Sequence, residues 1–177
     1  MEYWYIAVEK FDPSKGDKWR SYIQWSGLKQ LNRVLSLDSI LNPPIMDEFT
    51  NHNIQEDFVT DFFRDIEYLI ERLPEDQNGN IYAVIRSPEN EVSHLVPDER
   101  FSFVGYDLVD KKGGISVLTN CGGFPNAFHN FELSQDGLLK NYSRSWEVRE
   151  ALIRNYAKDN PHADCLIWAI WLMEKTG

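Results

Sequence analysis

The sequence predicts an α+β fold, a mostly antiparallel sheet with two or three helices packed on it. Strand-like runs lie near both ends of the chain and in its middle, helical patterns fall between them, and a turn-rich string, Asp110-Lys111-Lys112-Gly113-Gly114, has the composition of a hairpin connection. The 177 residues match the usual size of one domain, so residues 1–177 are read as a single unit. At that size folding buries roughly 70% of the surface an unfolded chain exposes, and the core needs no staple.

The elements follow in order. Tyr3 to Val8 is aromatic and β-branched and reads as a strand, and Trp19 to Trp25 has similar composition; with the turn at Asp12–Gly16 they suggest an N-terminal hairpin. Leu28 to Leu41 has partial helical spacing. Between Asp57 and Leu73 the apolar residues Phe58, Val59, Phe62, Phe63, Ile66, Leu69, Ile70 and Leu73 occupy one arc at helical spacing, and Pro74 stops the run, so a long helix is expected. Ile81 to Arg86 is a strand, residues 89–100 are a loop with room for a short edge strand, and Ser102 to Val109 pairs with Ile115 to Thr119 as a hairpin. Gly105 marks a bulge or a close backbone approach. Residues 120–139 are broken by Gly and Pro. Ser145 to Lys158 is a helix, and Cys165 to Met173 a strand buried on both faces.

Charge is unevenly spread. The chain carries 18 basic and 28 acidic residues, a net −10, and residues 47–76 hold ten acids against Arg64 and Arg72. On the expected helix Asp57, Asp61, Asp65, Glu67 and Glu71 fall opposite the apolar arc. The plain reading is a solvated helix face; the functional one is a docking face for a basic protein, since opposite charge raises association rates and selects partners. No basic stripe suggests a nucleic-acid ligand. The longest apolar run, Cys165 to Met173, is about half a membrane span, and the first residues lack a secretory pattern, so a cytoplasmic protein is expected.

Sites for chemistry are few. Cys121 precedes Gly122-Gly123, with His129 eight residues on and Asp107 on the expected neighbouring strand, which admits a thiol nucleophile with a histidine base and a carboxylate. The other reading is a turn with Cys121 packed beneath it. Cys165 reads as a buried small hydrophobe, and neither cysteine is expected in a disulfide. The four histidines show no metal-ligand spacing, no calcium loop is present, and the glycines lack phosphate-loop or dinucleotide patterns, so neither metal nor cofactor is expected. Trp4, Trp19 and Trp25 are expected on adjoining strands, in the core or at an interface.

The strings GYDLVD and SVLTNCGGFP, with QWSG near the start and PHADCLIWAIW near the end, resemble uncharacterised small acidic bacterial proteins, which are similar to the immunity partners of secreted toxins. The resemblance implies a cytoplasmic binding protein that neutralises a toxin, and it carries over no catalytic residue. Together with the acidic surface it leads to the expectation of a non-enzymatic protein that blocks a basic partner's active site. A small thiol-dependent enzyme using Cys121 and His129, or a non-catalytic regulatory module, are the alternatives.

Overall fold

The computed structural model describes residues 2–11, 16–46, 61–74, 79–111, 114–120, 124 and 126–174. Among them lie β1 (Trp4–Glu9), α1 (Asp17–Ser26), α2 (Ile66–Arg72), β2 (Gly79–Arg86), β3 (Phe101–Asp110), the single turn α3 (Val117–Asn120), α4 (Tyr142–Tyr156) and β4 (Cys165–Met173). The strands form one antiparallel sheet in the order β1-β2-β4-β3. This is the α+β architecture the sequence predicts.

The apolar run Cys165–Met173 becomes the interior strand β4, paired on one side with β2 and on the other with β3. Its side chains alternate across the sheet, as a period of two requires. Ile167, Ala169 and Trp171 join one core with Ala83, Ile85, Leu108, Val148 and Leu152, while Trp168 and Ile170 join a second with Tyr82, Val84, Leu35, Phe62 and Leu138. Both faces of the strand are covered. Each large aliphatic side chain so buried contributes about 1.5–3 kcal/mol.

The two buried tryptophans differ in one respect. Trp171 Nε1 donates to Leu95 O at 2.7 Å, with Tyr3 and Phe103 edge-on to its rings. Trp168 packs on Phe62, but its buried Nε1 has no partner among the described residues. Trp171→Phe is therefore expected to cost at least about 1 kcal/mol more than Trp168→Phe, because only the first strands a carbonyl. Urea unfolding of both variants checks this, and equal losses would count against it.

Both sheet edges are occupied. On β1, Tyr5 exchanges backbone bonds with Phe63 at 2.7 Å each way, while Glu9 N donates to Pro43 O and Ile45 N to Ala7 O. On β3, Tyr106 pairs with Leu139 and Val109 bridges Ser116. Covered edges remove the templates for strand addition.

Several expectations are corrected. Trp19 to Trp25 is not a strand but the body of α1, and β1 pairs with β2 instead. Trp19, Tyr22 and Ile23 repeat at i, i+3 and i+4 on one helix face and pack with Phe11 on the core. Gly27 is left-handed at φ 71°, its N–H on Ile23 O, so Ser26-Gly27 is a helix stop rather than a strand turn. Trp4 and Trp19 thus lie on different kinds of element, and Trp25 is exposed.

The long acidic helix is also shorter than expected. Residues 57–60, Asp57 included, lie outside the described residues, and helix begins only at Ile66 because Asp65 caps it, accepting from Glu67 N and Tyr68 N. Upstream, Phe62 faces Trp168 while Phe63 pairs with Tyr5, the alternation of extended chain. Ile115 to Thr119 is not a strand either: after one bridge at Ser116 the chain turns into α3. Leu28 to Leu41 is irregular, its leucines buried and its backbone bonded to Gln135 and Asp136. α4 starts three residues earlier than expected, where Asn141 Oδ1 caps it by accepting from Arg144 N.

Candidate functional site

The acidic rim sits along β1, where α2 packs through Leu69 on Ala7 and Met46. Its charges are less free than the sequence suggests. Asp65 is committed to capping, and Glu67 pairs with Arg100 Nη2 at 2.8 Å, an arginine also held by Asp98. The ion pair holds the Asp98 carboxyl below the usual range, first through the hydrogen bonds from Arg100. Arg64 reaches Glu2 and covers the Trp4 ring at 4.3 Å, while Arg72 lies over Tyr68. Asp61 is half-buried and engaged. Glu71 is exposed and has no ion pair among the described residues, so it is the acid of α2 most open to a partner. Arg100 lies outside the acidic stretch, and no local pattern ties it to Glu67.

A second polar cluster lies under β3. Asp38 and Asp107 are both buried. Asp38 Oδ1 accepts from Ile40 N and Leu41 N at 2.9 Å, Oδ2 accepts from Ser116 N at 3.0 Å, and Asn120 Nδ2 spans both oxygens. Asp107 Oδ2 accepts from Leu37 N, and Oδ1 from Leu108 N and Ser116 Oγ at 2.6 Å. Thr119 Oγ1 bonds Ser36 Oγ, and Tyr22 OH bonds Thr119 O. The cluster knots the irregular segment 34–42 to β3 and α3. An Asp followed two and three residues later by bonded N–H groups is an Asx turn, the local signal that marks Asp38.

Burial pushes the Asp107 carboxyl up to about 6, against the hydrogen bonds from Ser116, Leu37 and Leu108, with the neighbouring Asp38 charge adding to the rise. A folded-state pKa above the unfolded value near 3.8 means that the native protein holds the extra proton. The contribution to stability is full below that value and is lost as pH rises through about 6. Its size is on the order of 2–3 kcal/mol. An Asp107 carboxyl ¹³C resonance titrating near pH 6, with unfolding free energy falling between pH 4 and 7, is expected; a midpoint in the ordinary aspartate range would contradict it.

The residues of the expected thiol centre are not brought into one hydrogen-bonded set. Cys121 lies outside the described residues. His129 is exposed on the turn before Asn130–Glu132, its ring stacked on Phe131, whereas Asp107 is fully buried, and the two share no hydrogen bond. Burial pushes the Cys165 thiol up to about 12, so it is inert. Among the described residues no group of three His, Cys, Asp or Glu side chains is arranged to hold a metal, and no helix is long and apolar enough to cross a membrane.

No family model, curated protein or solved structure matches the chain.

Proposed function

We propose that this chain is a cytoplasmic, non-catalytic binding protein that neutralises a basic partner, of the immunity-protein kind, by covering that partner's active site. The observation that carries the reading is the concentration of charge: ten acids against two arginines in residues 47–76 of a chain with net charge −10. The covered edges of β1 and β3 fit it, since a partner would be met by side chains rather than by an added strand. Glu71, with the outer faces of Asp65 and Glu67, is the part of that charge an incoming cationic surface meets on α2.

Capture from a lysate of the source cell on immobilised protein tests the reading. A stoichiometric basic protein, released by raised salt and held less well by Glu71→Lys, is the expected result. A captured partner indifferent to both salt and Glu71→Lys would contradict it.

A further inference from the structure

Neither the acidic rim nor the Asp38–Asp107 cluster uses a groove of about 800 Å³ between the end of α1, Phe124 and the turns around residues 128–135. Its size falls within the range of small-ligand sites. Among the described residues no Lys, Arg, Asp or Glu lines it. Instead it presents a stacked pair of rings, His129 on Phe131, with centroids 5.2 Å apart and planes at 11°. Phe131 is 80% exposed and stacks on His129, which leaves its other face open to a ligand.

The platform is held in place from below. Glu132 accepts from His129 N at 2.9 Å and receives a two-pronged pair from Arg144 of α4, Nε to Oε2 at 2.6 Å and Nη2 to Oε1 at 3.0 Å; Nη2 also reaches Ala127 O. Such planar pairing fixes geometry as well as adding energy. The hydrogen bonds from Arg144 hold the Glu132 carboxyl below its ordinary range, so the clamp persists at neutral pH.

The polar lining offers both kinds of hydrogen-bonding group. Gln30 Nε2 donates to Asn130 O, and Gln135 Oε1 accepts from Asn32. Ser134 Oγ accepts from Asp136 N and Leu138 N. Among the described residues this leaves Gln30 Oε1 and Asn130 Oδ1 as acceptors, and Gln135 Nε2 and the Ser134 hydroxyl as donors.

We propose that this groove binds a neutral carbohydrate, one pyranose face on Phe131 and its hydroxyls on Gln30, Asn130 and Gln135. Among the described residues, the lack of lining Lys and Arg disfavours phosphates and acids, and the lack of carboxylates disfavours amines. Hydroxyls donate and accept at once, which suits a lining that mixes the two over a short distance. The C–H face of a sugar supplies the apolar contact that an exposed ring lacks. The proposal is independent of the acidic-partner reading and survives its failure.

Saturation-transfer NMR on the full chain, with maltotriose and N,N′,N″-triacetylchitotriose as neutral probes and adenosine as comparator, tests it at millimolar ligand. Transfer to pyranose C–H protons of at least one trisaccharide is expected, weakened about tenfold by Phe131→Ala and restored by Phe131→Tyr. Because Phe131 is exposed, both variants should fold, which unfolding curves verify. Absence of transfer to either saccharide, transfer undiminished in Phe131→Ala, or transfer confined to adenosine overturns the proposal.

Discussion

Asp38→Ala is expected to destabilise the protein by about 3–5 kcal/mol, among the largest losses a single substitution produces. The carboxylate satisfies Ile40 N, Leu41 N, Ser116 N and the Asn120 amide at once, in a site almost closed to water. Truncation removes the acceptor of the two buried bonds, from Leu41 N and Ser116 N, and of the part-buried bonds from Ile40 N and Asn120, and each uncompensated buried group costs about 1–3 kcal/mol before relaxation. It also removes the Asn120 link between the segment 34–42 and α3, leaving Thr119 Oγ1 on Ser36 Oγ to join them. Asp38→Asn should recover part of the loss, because its carbonyl oxygen still accepts while its amide faces donors. The midpoint of urea unfolding at neutral pH measures both. A loss below about 1 kcal/mol for the alanine variant would show that the cluster is solvated rather than buried.

Gly105→Ala is the second large effect, expected at about 2–4 kcal/mol. Gly105 sits at φ 148° in the bulge of β3, where the register to β4 shifts between Phe103 and Gly105. A Cβ there would lie 2.8 Å from both Leu138 Cβ and Leu139 O. These neighbours cannot retreat cheaply, since Leu139 exchanges backbone bonds with Tyr106 and Lys140 Nζ holds Val104 O. The variant should lose the Tyr106–Leu139 pairing first, seen as faster amide exchange at those two residues. Stability within about 0.5 kcal/mol of wild type would contradict the close approach.

Gly105 illustrates what the sequence makes legible. A glycine inside an otherwise apolar strand signals a bulge on its own, and β2, β3, β4 and α4 are read from patterns confined to each segment. Where two patterns compete locally, the reading fails. Trp19 to Trp25 has strand-like composition but helical spacing, and Phe62-Phe63 extends a helical arc that Asp65 interrupts by capping. Tertiary pairing decides both, through Phe11 on α1 and through Tyr5 on Phe63. The candidate site was legible as charge but not as geometry. Nothing near Glu67 announces Arg100, and nothing near Asp107 announces that its carboxylate is tied to Leu37 and Ser116. The stacked pair His129 and Phe131 carries a weak i, i+2 signal that acquires meaning only beside α1.

Recognition of a basic partner through the acidic surface is tested by association kinetics with the captured partner across a salt series. Glu71→Lys is the suitable variant, because Asp65 caps α2 and Glu67 is paired with Arg100. The association rate is expected to fall steeply with salt and to drop about tenfold in Glu71→Lys at low salt, with the dissociation rate changed much less. An association rate independent of salt and unchanged by Glu71→Lys would contradict it.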